Sequence, residues 1–296
     1  GTGNILYTDL ATMQRIYLSP DLASDHHSEA DPSFIADTSG GLCIFADESY
    51  LFIQKYGNET APAALYRADL NGENRRQLLE FKEYSPIMRA VVSDGAYLYT
   101  ILTKGLDKAV LVKISTGNGD IEDICELPYE NNFLMDTFEN CLVIKGLDIP
   151  DPKKTKDAVD SFKNTKHVVY RYSLTDNRLT EVIRWQQDTM YEGYDGQFMY
   201  VFDFSNDCLK TIDLRDGTET VMLESLKEKG IDVDDNVSIT TVKDGHMLYG
   251  AGGFSYILDL STMEVTKRKY MDNYQEPFII ASYGNKYLVT AGDLEI

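Results

Sequence analysis

"LYRADLNGENRRQLLE", residues 65–80, consists of two apolar runs with period-2 alternation joined across Asn71-Gly72, a dipeptide that supplies the backbone conformation of a tight hairpin turn. Blurred copies recur as "LYTDLATMQRIYLS" (6–19), "LVKISTGNGDIEDICEL" (111–127), "VYRYSLTDNRLTEVI" (169–183), "LKTIDLRDGTETVML" (209–223) and "SYILDLSTMEVTKRK" (255–269). Each reads as strand, turn, strand. Between them lies a second hairpin pattern: a two-residue polar turn, one variable residue, then three apolar ones. It is seen at Asp47-Glu48 before Tyr50-Leu51-Phe52, at Asp94-Gly95 before Tyr97-Leu98-Tyr99, and at Glu139-Asn140 before Leu142-Val143-Ile144. Asp195-Gly196, Asp244-Gly245 and Gly284-Asn285 complete the series.

Two hairpin types alternating at a period of about 45 residues predict four-stranded units of the β-propeller kind. The chain starts with a hairpin of the first type and ends with one of the second, so each end holds half a unit. Counting from Leu260 past Ile296 back to Leu10 restores the period. The expected fold is therefore an all-β, six-bladed β-propeller in a single domain, with a seven-bladed ring as the alternative. Its blades fall near 41–80, 87–127, 132–184, 189–223 and 236–270, and the last is built from 277–291 with 3–19. Closure by the termini would hide the edge strands that half-units expose.

The 65–80 stretch resembles the YWTD type of six-bladed propeller repeat, and "LYTD" at 6–9 echoes it. The six-unit pattern is likewise similar to TolB-like propellers and to secreted bacterial propeller lipoproteins of unknown function. That resemblance implies a binding or scaffolding role outside the cytoplasm, at the cell surface or anchored to a membrane. The opening Gly1-Thr2-Gly3, with no initiator Met, fits removal of an upstream targeting segment.

Composition narrows the partners. A net charge of −20 repels a nucleic-acid backbone and an anionic membrane surface, so neither is expected as a partner. No stretch approaches the roughly 20 apolar residues of a membrane span. Cys43, Cys125, Cys141 and Cys208 form no CxxC pair and sit in apolar runs, which reads as buried thiols rather than a disulfide framework.

In a propeller, the connections between blades share a face with the loops between second and third strands. The inserted segments 20–33, 148–166 and 224–236 are expected on that face, the last as a short helix over Leu226–Lys229. The inter-blade connections also place aromatics beside amides: Tyr84, Tyr129 with Asn131 and Asn132, Trp185 with Gln186 and Gln187, and Tyr274 with Asn273 and Gln275. Such a set suits stacking on a sugar or peptide side chain with amides reading hydroxyls or backbone, so a glycan, a peptide or another protein is the expected partner.

Catalytic signatures are sparse. The sequence has no G-x-S-x-G elbow, no H-E-x-x-H and no G-x-x-x-x-G-K-[ST]. His26, His27 and Glu29 lie together in "DHHSEAD", a weak candidate for a metal, although adjacent histidines seldom point at one ion. "DVDDN" at 232–236 opens like a calcium loop, but Val237 and Lys243 occupy its glycine and bidentate positions. No cofactor is expected. The enzyme alternative is a metal-dependent hydrolase or lactonase whose channel would be lined by Asp136, Asp188 and Asn236.

Overall fold

The computed structural model describes residues 2–290 apart from 10, 13, 22, 60, 86–90, 106–107, 130–131, 151–156, 187–189, 232–237, 244, 252–253, 270–277 and 284–285. The 65–80 stretch forms the antiparallel strands Ala64–Asp69 and Arg76–Glu80, with Leu65 opposite Leu79 and Arg67 opposite Arg76. They are the third and fourth strands of a sheet that begins with Leu42–Ala46 and Tyr50–Lys55 and runs in chain order.

Four further sheets repeat this plan. The second is Val91–Ser93, Tyr97–Lys104, Lys108–Ser115 and Ile121–Glu126, with the short strand Tyr84–Ser85 added beside Tyr97–Lys104. The third runs Asn132–Phe138, Cys141–Asp148, Lys166–Ser173, Arg178–Gln186. Met190–Asp195, Phe198–Asp203, Cys208–Asp213 and Glu219–Leu223 make the fourth. Ser238–Lys243, His246–Ala251, Phe254–Asp259 and Val265–Lys269 make the fifth. Leu6–Asp9 with Gln14–Tyr17, and Phe278–Tyr283 with Lys286–Thr290, are two-stranded.

The polar turns explain why the second pattern is so regular. The Asp47 N–H donates to the Tyr50 carbonyl (3.0 Å), while its Oδ1 accepts from the N–H groups of Ser49 and Tyr50, both at 2.8 Å. Asp94 repeats the arrangement with Ala96 (2.9 Å) and Tyr97 (2.7 Å). A carboxylate at this position satisfies the amides that a tight turn leaves without backbone partners. The outer hairpins close differently: Gly217 and Met263, at φ 78° and 56°, donate back to Asp213 and Asp259 at 2.8 Å each. One left-handed residue ends each of these turns, as a bulged three-residue hairpin loop requires.

The chain divides into two compact units, Gly1–Leu134 with Ile144–Gly146, and Met135–Val143 with Leu147–Ile296. In the first, Phe52, Leu65 and Leu78 of the first sheet meet Leu98, Val112 and Ile114 of the second. A separate cluster joins Ile5 and Ile35 to Leu51, Ile53 and Ala68. In the second unit, Val143, Val169 and Trp185 pack on Met199, Val201 and Ile212, and Phe202 and Leu209 pack on Met247, Tyr249 and Leu258. Inner strands are thus apolar on both faces, each full burial of such a side chain being worth about 1.5–3 kcal/mol.

A recurrent joint ties consecutive sheets within each unit. Arg67 donates to the Thr116 carbonyl and Arg76 to that of Gly117 (2.7 Å), both in the outer turn of the next sheet. Gly119, at φ 79°, comes so close that a Cβ would lie 2.0 Å from the Leu78 oxygen. In the second unit, Arg171 reaches the Arg215 carbonyl, and a Cβ on Gly217 would meet the Val182 oxygen at 2.9 Å.

Two local expectations change. The 224–230 stretch makes a turn, closed by Ile231 N–H donating to the Leu226 carbonyl (3.0 Å) and ended by Gly230 at φ 69°. The helix lies instead at Ala158–Asn164, where Asp157 caps it by accepting from the Asp160 N–H (2.8 Å). The 20–33 segment is also not a plain connection between sheets. Ile5 donates to the Ser33 carbonyl (2.7 Å) and accepts from the Leu18 N–H (2.9 Å). An N–H and C=O of one strand residue point to the same side, so the chain leaves at Leu18 and returns at Ser33 on one edge. Gln14–Tyr17 and Phe34–Ala36 are two parts of a single interrupted strand, against Leu6–Asp9 and Thr2–Asn4 respectively. Residues 19–32 are extruded from its middle.

Candidate functional site

The extruded segment is organised around Asp31. Its carboxylate is 3% exposed and accepts from the Ser33 N–H (2.8 Å), the Ser33 hydroxyl (2.6 Å) and the Ser19 hydroxyl (3.0 Å). His26 Nδ1 lies 2.9 Å from Oδ2, the oxygen that also accepts from Ser19, and its ring is stacked on Tyr17 at 4.0 Å. Burial pushes the Asp31 carboxyl up, but bonds from Ser24, Ser33 and Ser19 outweigh it and hold the group well below the usual carboxylate range.

Between this segment and the outer strands of the first sheet lies a cleft of about 660 Å³. Glu29, Ala30 and Pro32 form one wall; Tyr66, Arg75 and Gln77 form the other, with Glu73 and Asn74 at the turn. Tyr66 and Gln77 are directly paired across the strands, and the Lys55 ammonium sits 5.4 Å from the Tyr66 ring centre. Arg75 fastens the two walls together: it donates to the Phe34 carbonyl (2.7 Å) and to that of Pro32. Among the described residues its buried Nε meets no hydrogen-bond partner. Burial lowers the Arg75 pKa against the pull of Glu29 and Asp31, but a guanidinium remains charged in any case. Gly72, at φ 85°, lets the turn approach; a Cβ there would sit 3.0 Å from the Pro32 side chain. The volume falls in the range of about 300–1,000 Å³ usual for ligand pockets.

The described members of the aromatic and amide set singled out in the sequence each have their own local surroundings. Trp185 is 5% exposed, stacked on His167 at 5.2 Å within the core, and so offers no open platform. Gln186 caps the short helix by donating to the Lys163 carbonyl. Tyr84 donates to Asp123 (2.5 Å) beneath Lys104, which itself pairs with Asp123 at 2.6 Å. Tyr129 is half-buried, and its carbonyl accepts from the Asn132 amide. Asn131, Gln187, Tyr274 and Gln275 lie outside the described residues, as do Asp188, Asn236 and Asn273. Of the metal candidates, His26 is turned to Asp31, His27 is exposed and Glu29 lines the cleft. Among the described residues no three His, Cys, Asp or Glu side chains come together as metal ligands.

Tyr66, Glu73, Arg75 and Gln77 were not picked out by sequence reasoning. The signal available was "NGENRRQ" (71–77), whose paired arginines no other copy of the hairpin carries.

No family model matches the chain, and no curated protein matches it. Solved structures do. A prolyl endopeptidase has a TM-score of 0.56 at 13% identity over 84% of this chain, which spans only 39% of that enzyme. An oligogalacturonate lyase in complex with manganese has a TM-score of 0.54 at 16% identity, covering 94% of this chain and 75% of the lyase. The β-propeller domain of the Trilobed protease from Pyrococcus furiosus gives 0.55 at 16% identity, covering 94% and 79%. A putative TolB from Agrobacterium tumefaciens gives 0.50 at 10% identity, covering 90% and 87%. Taken with the five sheets that, among the described residues, each run four strands in chain order, these similarities establish that the chain has an all-β fold of the β-propeller class.

Proposed function

We propose that the protein is an extracytoplasmic recognition or scaffold propeller that binds a glycan or an extended peptide. The cleft beneath residues 19–32 carries this reading: it has ligand size, an aromatic wall residue, and both donors and acceptors held in place by Arg75 and Asp31. It replaces Trp185 as the anchor, because an indole inside the core cannot stack on a ligand. The location outside the cytoplasm rests on the repeat resemblance and on the likeness to a TolB. Among the described residues no helix is long and apolar enough to cross a membrane.

The test is to probe glycan and peptide arrays with the intact chain and with a variant whose residues 19–32 are replaced by a short glycine linker. A hit that depends on the segment supports recognition at the cleft.

A second reading is a metal-dependent hydrolase or lactonase, since three of the similar folds belong to enzymes, one of them solved with manganese. Its mark would be a rise in melting temperature with calcium or manganese, together with turnover of a lactone or glycoside.

A further inference from the structure

Resting on the recognition reading, we propose that the cleft takes an uncharged saccharide. Its charges are already balanced: Glu29 and Glu73 supply two carboxylates, and Arg75 and Arg76 two guanidinium groups. A ligand with a net charge would leave one set uncompensated in a confined space, whereas a polyol adds none. The hydrogen-bonding groups fit vicinal hydroxyls, each of which donates and accepts. The exposed carboxylates of Glu29 and Glu73, the latter already accepting from the Asn71 amide (2.8 Å), have acceptor capacity left for such hydroxyls. Gln77 can do both.

Tyr66, half-buried against the Ile53 cluster and with the Lys55 ammonium over its ring, adds aromatic surface to the wall, and its open part suits the apolar C–H face of a pyranose. An extended peptide satisfies the pattern less well, because its backbone groups alternate from side to side at strand spacing and present fewer adjacent donor–acceptor pairs.

Saturation-transfer NMR on the full chain with maltotriose, cellotriose, mannotriose and chitotriose, and with trigalacturonate as the anionic counterpart, tests the assignment. At least one neutral trisaccharide is expected to bind in the millimolar range or tighter and to outcompete trigalacturonate. Glu73→Ala and Gln77→Ala, both at exposed side chains, are each expected to weaken it about tenfold without changing the melting temperature. Tyr66→Ala should remove it, with the unfolding curve recorded alongside because Tyr66 is half-buried. Tighter binding of trigalacturonate would overturn the choice of an uncharged ligand. Saccharide binding indifferent to Glu73→Ala and Gln77→Ala would overturn the site while leaving recognition intact. With a peptide array run on the same chain, peptide hits without binding of any trisaccharide would overturn the saccharide assignment only; binding of neither class would overturn both this inference and the recognition reading.

Discussion

At the scale of single residues, Asp31 carries the most consequence. It is a carboxylate in the interior whose charge is tolerated because hydroxyls, an amide and an imidazole converge on it. Its folded pKa lies below the unfolded value near 4, so the stability it contributes is complete above that value and is lost as pH falls through the folded pKa. Asp31→Asn is expected to cost about 2 kcal/mol at pH 7, where bonds to a charged acceptor are lost. The variant should also lose less stability than the wild type between pH 5 and pH 2, as read from urea unfolding at each pH. Residue by residue, the sequence was readable where chemistry is local, as in the Asp47 and Asp94 turns, whose role follows from spacing alone. It was unreadable at Trp185 and Arg75. Nothing in the order of residues says that the one tryptophan packs against Met199 and Ile212, or that Arg75 meets carbonyls some forty positions away.

At the scale of elements, the joint between consecutive sheets is as specific as the sheets themselves. Gly119 and Gly95 both hold positive φ, yet a Cβ on Gly95 would meet nothing within 4 Å, whereas one on Gly119 would strike the Leu78 carbonyl. Gly95→Ala should therefore cost only the left-handed penalty of about 1–2 kcal/mol. Gly119→Ala should exceed it by roughly 2 kcal/mol or more, since the outer turn must back away from the first sheet. Chemical denaturation of the two variants side by side checks this, and equal costs would mean that the joint yields freely. Strand pairing inside each sheet was legible because the polar and glycine-bearing turns fix where each hairpin reverses, and the turn sets the register of its two strands. The interrupted strand was not legible. A 14-residue excursion between Leu18 and Ser33 looks in sequence like any long connection, and only the two hydrogen bonds of Ile5 reveal that the strand resumes on the same edge.

At the scale of the whole molecule, the propeller class was legible from the alternation of two hairpin types, while the number of blades and their closure by the termini rest on the 45-residue period. Removing residues 1–19 tests the proposed closure. It strips Ile5 from its cluster with Ile35 and Ile53 and takes the partner strand from Phe34–Ala36. A ring closed by its ends is expected to lose cooperative unfolding altogether; a stable, shorter domain with a sharp transition would argue for an open arrangement. The functional claim is that a segment extruded from one strand creates the recognition cleft without being needed for the sheets. Array binding by the intact chain and by the chain with 19–32 replaced by a glycine linker tests it most directly, with circular dichroism recorded for both. The account predicts unchanged β-sheet content and loss of every glycan or peptide hit in the shortened chain, whereas hits identical in the two chains, or none in either, would contradict it.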